Sequence, residues 1–275
     1  MNTRKIRIAN IPVYAFLLFC SLLSLFPFYI MLIMGTYKNE DLFRGLRLLP
    51  GSYIFENIKT IMATDFPLYY RNSLLVATGA AVGALLLSSL TGYAFAKFRF
   101  RGKNILFFFI LGSIMVPPQV GLVGFVTEMR WFGLVNTFFP LIIPAWASAF
   151  GVFWMRQYIS ATVPNELLES AKIDGSNTIH TFVFIVMPVI RPALITLFLL
   201  FFLWNWNDYL LPLIILNNQK LITIPLSISL IGQLYRNDYA ARILSLAAAT
   251  IPILILFIAG SKYLIKGLVT GSVKG

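Results

Sequence analysis

The sequence predicts an all-α, polytopic membrane protein with six transmembrane helices and both termini in the cytoplasm. Of its 275 residues, 59% are hydrophobic and only 12% are charged, which is about half the charge of a typical soluble domain. The mean hydropathy is +0.82. Too few polar side chains remain to cover a soluble fold, and the hydrophobic content excludes a disordered chain. The net charge of +12 does not indicate nucleic acid binding, because the charges form short clusters between long apolar runs.

Six apolar stretches are long enough to cross a bilayer core of about 30 Å, which takes roughly 20 residues. They are Ile11–Met34, Ser73–Ala96, Ile105–Val126, Thr137–Met155, Ala193–Leu216 and Ile243–Ile265. The first stretch is longer than the roughly 7–15 apolar residues of a signal peptide and lacks a clear cleavage site, so we expect an uncleaved helix. The second contains Gly79 and Gly83, a small-residue pair that predicts close helix packing.

Prolines occur within most of these stretches. Kinks are tolerated in membrane helices where neighbouring helices satisfy the backbone groups that a proline frees. The prolines are Pro27 in the first stretch, Pro117 and Pro118 in the third, Pro140 and Pro144 in the fourth, Pro212 in the fifth and Pro252 in the sixth.

The distribution of basic residues predicts the orientation. If the N-terminus lies inside, the inside segments contain thirteen of the 22 basic residues and three of the ten acidic ones, a net charge of +10 against +2 outside. The short loop Lys97–Lys103 is the clearest marker. The thirteen residues are Arg4, Lys5, Arg7, Lys97, Arg99, Arg101, Lys103, Arg156, Lys172, Arg191, Lys262, Lys266 and Lys274.

The inside segment Arg156–Arg191 is far longer than a tight connection between two helices needs. Pro164 suits the first turn of a helix and Gly175 suits its end, so the sequence predicts a helix at about 164–174. A turn and a second helix follow, and that helix reaches Pro188 and Pro192 at the membrane.

The predicted helix at 164–174 is amphipathic. Glu166 and Glu169 lie in its first half, where the helix dipole favours negative charge. Leu167, Leu168 and Ala171 form an apolar ridge at three- and four-residue spacing. The pattern fits an elbow helix on the membrane surface, and it also fits a helix that docks in the groove of a soluble partner.

The same segment resembles the EAA loop of the membrane subunits of binding-protein-dependent ABC importers. The matching residues are Glu169-Ser170-Ala171, Gly175 after three more residues, and Ile185-Val186-Met187-Pro188 after nine more. Ser170 replaces an alanine of the family pattern and Met187 replaces a leucine, and both changes keep size and character. Further segments resemble the carbohydrate-uptake branch, in particular the second permease subunit of maltose-type importers. They are Arg71–Leu74, Tyr93–Phe98, Val116–Gln119, Gly133–Thr137, Trp206–Pro212 and Gly271–Gly275.

The resemblance implies the ABC importer permease fold, with residues 1–275 as one transmembrane domain and 156–191 as its coupling loop. It also implies a bacterial-type inner-membrane location and several partners: a second, homologous permease subunit, two ATP-binding subunits, an extracytoplasmic binding protein and a carbohydrate solute. In this family the loop helix docks in a cleft of an ATPase. The implied coupling residues are Glu166, Leu168, Glu169, Ser170, Ala171, Asp174, Gly175 and Pro188.

The sequence contains no recognisable catalytic or nucleotide-binding motif. The segment from Gly267 to Lys274 imitates a phosphate-binding loop but has the wrong spacing, so we expect ATP and Mg²⁺ on the partner ATPases and no cofactor on this chain. His180 and Cys20 are the only histidine and cysteine, which excludes an ordinary zinc site and an intrachain disulfide. We therefore expect a transport subunit and not an enzyme.

A polar and aromatic cluster lies in the outward half of the fifth stretch. Amides can bond sugar hydroxyls and aromatic faces can stack on sugar rings, but an aromatic belt with amide bonds between helices explains the same residues. The cluster consists of Trp204, Asn205, Asn207, Asp208 and Tyr209. A polyol or glycerol phosphate is an alternative solute. An ion-coupled secondary carrier is a further alternative, but it predicts carboxylates in the span centres, and the stretches contain only Asp208.

Overall fold

The computed structural model describes residues 11–45, 47–228 and 238–270. Within these ranges the chain forms helices joined by turns, with no β-strand. The basic residues Arg4, Lys5, Arg7 and Lys274 and the segment Gly271–Gly275 lie outside the described residues. The helices are α1 (Ile11–Met34), α2 (Ile54–Met62), α3 (Phe66–Lys97), α4 (Lys103–Ile114), α5 (Leu122–Trp131), α6 (Phe139–Ile142), α7 (Ala149–Thr162), α8 (Asn165–Ile173), α9 (Thr178–Val189), α10 (Arg191–Trp206), α11 (Leu210–Ile215) and α12 (Tyr239–Thr270).

Four helical segments of the described chain are long and apolar enough to cross a membrane, and two bent helix pairs raise the number to six. The four segments are Pro12–Met34, Phe66–Lys97, Phe139–Thr162 and Tyr239–Tyr263. The predicted bounds of the first stretch are confirmed by α1, and α3 and α12 extend the second and sixth stretches at both ends.

The third predicted stretch, Ile105–Val126, is helical on both sides of a sharp bend at its prolines. α4 ends at Ile114, and the chain bends by 87° before the helical segment Pro118–Trp131. Pro117 and Pro118 cause the break, because proline lacks an N–H and disfavours helical geometry in the residue before it. With 12 residues, α4 is only about 18 Å long, so it reaches part of the way across a bilayer core.

The fourth and fifth stretches are also interrupted, although each was predicted as one helix. A 3-10 turn at Pro144–Trp146 separates α6 from α7. α10 ends at Trp206, and Asn207–Tyr209 form a turn before α11. In addition, α9 precedes α10 at an angle of 82°. Proline explains the first interruption, whereas a turn that contains Asn207 and Asp208 explains the second.

The described residues belong to two compact units. The first unit comprises Met1–Phe66 and Ile228–Ile251. Here α1 is exposed along most of its length, since only 6% of its most apolar window is buried. At the end of α1, the buried Asn57 side chain donates from Nδ2 to the carbonyl oxygens of Gly35 and Tyr37, both at 2.9 Å. This amide therefore fixes the chain reversal after α1.

The second unit comprises Pro67–Ser227 and Pro252–Gly275. Its core forms where small residues of α3 allow α7 and α10 to approach. A Cβ atom on Gly92 would lie 2.6 Å from the Met155 Cβ atom and 2.9 Å from the Arg156 backbone nitrogen. The Trp146 ring covers Gly83 and donates from Nε1 to the Gly79 carbonyl at 3.0 Å. The predicted close packing is confirmed at Gly83, where a Cβ atom would collide with the Trp146 ring, whereas a Cβ on Gly79 would make ordinary contact with Ile142 at 3.5 Å.

Asn72 and Ser73, at the start of α3, anchor the chain at 220–224. The buried Asn72 donates from Nδ2 to the carbonyl oxygens of Lys220 and Ile222, at 2.9 and 3.0 Å. The Ser73 hydroxyl oxygen accepts a hydrogen bond from the Ile224 N–H at 2.7 Å. Two residues of the Arg71–Leu74 segment thus satisfy backbone groups of an irregular part of the chain.

Asn136 anchors the neighbouring part of the same chain segment. It has a positive φ of 62°, a left-handed conformation that asparagine adopts more readily than most residues. Its Oδ1 atom accepts hydrogen bonds from the N–H groups of Asn217 and Asn218, at 2.6 and 3.1 Å. The Gly133–Thr137 segment is therefore explained by backbone geometry and anchoring.

We predict that Gly92→Ala destabilises the protein and that Gly112→Ala does not. The added methyl at residue 92 would meet backbone at 2.9 Å, whereas nothing lies within 4 Å of a Cβ on Gly112. Overpacking of this kind costs about 1–3 kcal/mol, while alanine in a helix interior gains up to about 1 kcal/mol over glycine. Thermal unfolding of the purified variants measures both effects. Equal unfolding midpoints for the two variants would contradict the close α3–α7 packing.

Candidate functional site

The helix predicted at 164–174 is confirmed as α8 (Asn165–Ile173), with Gly175 just past its end as predicted and Pro164 before its first turn instead of within it. Pro164 is the extended residue before its first turn. At the other end, the Ser176 N–H donates to the Ala171 carbonyl at 3.0 Å and the Gly175 N–H donates to the Lys172 carbonyl at 3.1 Å. Gly175 has a φ of +79°. This is a Schellman cap, which requires a left-handed residue and so favours glycine.

The predicted apolar ridge of α8 is divided between the core and the solvent. Ala171 is 3% exposed, and Leu168 packs against the core cluster that contains Phe182 and Val186. Leu167 lies at the surface. The exposed implied coupling residues are Glu166, Glu169, Ser170, Asp174 and Gly175 on or next to α8, and Pro188 on α9. The buried side of α8 therefore sets its position, and the opposite side presents three carboxylates.

The turn after α8 combines polar groups with exposed isoleucines. A groove is lined by Ala171, Asp174, Gly175, Ser176, Asn177, His180 and Ile185. Ile173 and Ile179 flank this turn in the sequence and are 86% and 75% exposed. Large apolar side chains that remain exposed next to a groove are typical of a surface that another protein covers.

His180 has a structural role at the start of α9. The Asn177 side chain accepts a hydrogen bond from the His180 N–H at 2.8 Å and caps the helix. The His180 Nδ1 atom lies 3.0 Å from the Ser176 hydroxyl, and the ring packs on Phe184 with centroids 4.5 Å apart. These contacts fix the first turn of α9 against the turn that follows α8.

α9 widens into a π-helix over Thr181–Val186, directly before Pro188. The Met187 N–H donates to the Phe182 carbonyl, five residues earlier. Proline has no N–H and its ring clashes with the carbonyl four residues before it, and the wider turn relieves this conflict. The proline of the EAA-like segment therefore shapes the path by which α9 leaves the loop.

Lys97, the last residue of α3, holds the start of α8. Its Nζ atom donates to the carbonyl oxygen of Val163 and to the Asn165 Oδ1 atom at 3.0 Å. In the sequence, Lys97 is recognisable as a basic residue of an inside loop and as part of the Tyr93–Phe98 segment. A lysine at the C-terminal end of a helix often bonds a backbone carbonyl. Here the carbonyl belongs to a residue 66 positions further along the chain, so only the fold identifies it.

The polar cluster of the fifth stretch lies at the end of α10 and in the turn that follows. Asn205 donates from Nδ2 to the Phe201 carbonyl at 2.8 Å, and Asn207 donates to the Leu203 carbonyl at 2.9 Å. Both bonds stay within the last turns of α10 and use one N–H of each amide.

Of the remaining members of the cluster, Asp208 caps a helix, and Trp204 and Tyr209 lie at the surface. Asp208 is half-buried, and its Oδ1 atom accepts a hydrogen bond from the Leu211 N–H at 3.4 Å, at the start of α11. Trp204 is 50% exposed and contacts Phe150 edge-on at 5.3 Å between centroids. Tyr209 is 41% exposed. The exposed rings and amides form a surface that can bind an uncharged polar molecule.

Within the described ranges, no group of three or more histidine, cysteine, aspartate or glutamate side chains could hold a metal ion.

Comparison with known proteins defines the class as a multi-pass transport subunit of the inner membrane. The chain belongs to the family described as binding-protein-dependent transport system inner membrane component, which matches residues 84–269. The lactose transport system permease protein LacG of Rhizobium radiobacter is 35% identical over 275 residues, covering 100% of both chains. The arabinooligosaccharides transport system permease protein AraQ of Bacillus subtilis (strain 168) is 32% identical, covering 100% of this chain and 99% of that protein.

Two further similarities extend the comparison. The sn-glycerol-3-phosphate transport system permease protein UgpE of Pectobacterium atrosepticum is 33% identical over 207 residues, covering 72% of this chain and 73% of that protein. A solved bacterial ABC transporter involved in the import of the acidic polysaccharide alginate has a similar fold, with a TM-score of 0.78, 22% identity and coverage of 96% and 99%. The helical membrane fold and the permease family agree with the sequence prediction.

We predict that Gly175→Val loosens the end of α8 and that Gly175→Asn has a smaller effect. No atom lies within 4 Å of a Cβ on Gly175, so the only penalty is the left-handed backbone, about 1–3 kcal/mol for valine. Asparagine tolerates this conformation. Hydrogen exchange of amides in 165–176 measures the effect, which is about tenfold faster exchange per 1.4 kcal/mol.

Gly102→Val is the matched control, because Gly102 has a φ of +78° and equally open surroundings on another loop. It should speed exchange only near residues 99–106. If Gly175→Val leaves exchange in α8 unchanged, the Schellman cap does not hold the helix.

Proposed function

We propose that this chain forms half of the translocation path for a sugar or oligosaccharide and that α8 couples it to an ATP-binding partner. The observation that carries the proposal is the position of α8. Leu168 and Ala171 fix the helix to the core, while its exposed side presents Glu166, Glu169 and Asp174. In a chain of this family, such a helix is suited to recognition by another subunit. The names of the LacG and AraQ relatives support a carbohydrate solute.

The proposed complex contains this chain, a second homologous permease subunit, two ATP-binding subunits and an extracytoplasmic binding protein. ATP and Mg²⁺ bind the ATPases, and this chain holds no cofactor. Residues 1–275 act as one permease domain, with 156–191 as its coupling loop. When the ATPases close around ATP, they draw the coupling helices together and open the path outward.

Four of the eight proposed coupling residues have distinct roles in or next to this contact. Glu169 accepts a hydrogen bond from a basic or amide group of the ATPase, and such charge-assisted bonds are about twice as strong as neutral ones. Ser170 donates to the Glu166 carbonyl at 3.0 Å, so its hydroxyl oxygen remains an acceptor at the surface. Gly175 permits the turn after α8, and Pro188 shapes α9.

The proposed solute path runs along the end of α10. An asparagine amide offers two N–H donors and one acceptor oxygen. Asn205 and Asn207 each form one hydrogen bond to their own helix, which leaves groups for sugar hydroxyls. Trp204 and Tyr209 supply exposed rings for stacking. Asp208 stabilises the turn Asn207–Tyr209 by accepting a hydrogen bond from the Leu211 N–H.

The UgpE relative makes sn-glycerol 3-phosphate a second candidate solute. The cluster favours a neutral solute, because the segment Trp204–Tyr209 contains one carboxylate and no cation. Phosphate sites usually present arginine, lysine or helix N-termini to the anion, and a nearby carboxylate repels it. A neutral polyol remains compatible with the same amides and rings.

We predict that Asn205→Leu and Asn207→Leu lower solute uptake while the complex still assembles. Each change removes groups that bond hydroxyls, and loss of one hydrogen bond of about 0.5–1.5 kcal/mol lowers uptake by roughly two- to tenfold. Uptake of labelled lactose, arabino-oligosaccharide, a neutral polyol and sn-glycerol 3-phosphate is measured with the complete complex. Asn104→Leu, at an exposed asparagine of α4, is the control. Normal uptake in both variants would place the path elsewhere, and preferred uptake of glycerol phosphate would reject the sugar assignment.

We predict that Glu169→Lys and Gly175→Val insert normally but fail to transport. Reversal of the Glu169 charge removes a bond of about 1.5–3 kcal/mol, so ATPase docking weakens by about tenfold or more. Co-purification of the ATPase subunits and ATP hydrolysis stimulated by loaded binding protein are measured together. Glu128→Lys, at an exposed glutamate of α5, makes the same charge change away from α8. Full stimulation in an assembled Glu169→Lys complex would exclude this loop as the coupling element.

A further inference from the structure

The end of α3 contacts the chain on both sides of α8. Lys97 donates from Nζ to the Val163 carbonyl and to the Asn165 side chain, at the start of α8. One turn earlier on α3, the Tyr93 ring packs on Phe182, which follows α8, with centroids 5.2 Å apart. Contacts with α3 therefore hold α8 on both sides, at its first residues and at Phe182 after its end, although α3 is distant from α8 in the sequence.

The covalent connections of α8 are turns. Val163 and Pro164 are extended between α7 and α8, and Asp174–Asn177 form the turn before α9. Turns of this kind absorb angular changes, because a few φ and ψ angles can change while the helices stay rigid. Lys97 connects α3 directly to the start of α8, independently of the covalent connection through α7. The acceptor residue Val163 is only 2% exposed. A charged donor at a buried carbonyl makes a strong and specific link.

α3 also contacts a distant segment at its other end. With 32 residues, it is about 48 Å long, so it extends across a whole bilayer. Near its start, Asn72 and Ser73 hold the chain at 220–224. A shift of the Lys97 end therefore displaces the chain segment that Asn72 and Ser73 hold.

We infer that Lys97 is a positioning residue that transmits the displacement of α8 to α3. This inference rests on the proposed coupling role of α8. When the ATPases move α8, the Lys97 link moves α3 with it and so carries the change to the 220–224 segment. Without the link, α8 still docks and keeps its core packing, but more of its motion is taken up by the turns around it.

The test compares Lys97→Met with Lys103→Met in the complete complex. Both variants remove one positive charge from the same short loop and one lysine hydrogen bond to a carbonyl, since Lys103 donates to Phe98 at 2.9 Å. Among the hydrogen bonds of the described residues, those of Lys97 reach the start of α8, whereas that of Lys103 stays within its own loop. We expect Lys97→Met to retain the ATPase subunits and basal ATP hydrolysis, but to import about fivefold fewer sugar molecules per ATP hydrolysed. Lys103→Met should keep the wild-type ratio, and Lys97→Arg, which keeps a charged donor, should recover most of it.

A distance measurement separates transmission from simple damage. In a Cys20→Ser background this chain contains no cysteine. Spin labels are then attached to the cysteines of Leu90→Cys in α3 and Lys172→Cys in α8, both at exposed positions. The distance between the labels should stay constant between the nucleotide-free state and the state trapped with Mg-ATP and vanadate. In Lys97→Met this distance should change on trapping.

Two results overturn the inference. The first is a wild-type ratio of sugar to ATP in Lys97→Met, and the second is an unchanged label distance in that variant. Failure of the proposed function gives a different result, in which the wild-type complex itself does not retain the ATPases or does not respond to vanadate trapping.

Discussion

The structure depends on the need to give every buried backbone N–H and C=O group a hydrogen-bond partner, because water cannot reach these groups. Unbroken helices meet this need by themselves, but this chain interrupts several of its helices. At the interruptions, side-chain amides and one lysine take over the hydrogen bonds. Asn57, Asn72 and Asn136 each bond two backbone groups, and Lys97 bonds the Val163 carbonyl. These polar side chains therefore determine where irregular backbone is possible.

The same constraint explains why the site residues lie at the ends of helices. The Schellman cap at Gly175 and the Asp208 contact to Leu211 both satisfy backbone at a helix end. A surface that binds a partner or a solute needs side chains with unused hydrogen-bonding groups, and turns supply them without exposing unpaired backbone. The rigid helices around these turns hold the exposed side chains in place, and Leu168 and Ala171 do so for α8.

Close packing supplies the rigidity that a coupled machine requires. Gly92 and Gly83 allow Met155 and Trp146 to contact the backbone surface of α3. Association of helices in a membrane relies on such van der Waals contact, because lipid is as apolar as the side chains. A helix that is packed in this way moves as a rigid body. A displacement at the Lys97 end of α3 is therefore accompanied by a displacement at its Asn72 end.

The sequence by itself determined the membrane class, the long helices α1, α3 and α12, and α8 between Pro164 and Gly175. Hydrophobic run length, helix caps and local spacing are local properties, and they need no knowledge of the rest of the chain. The sequence did not determine the 87° break after Ile114, the end of α10 at Trp206 or the inward direction of Leu168 and Ala171. It also did not identify the partners of Lys97 and Asn72, because those acceptors lie 66 and about 150 residues away. Only the tertiary structure decides these features. A kink persists only where other parts of the chain satisfy the backbone groups that it frees. Which side of an amphipathic helix is buried depends on the neighbour that covers it.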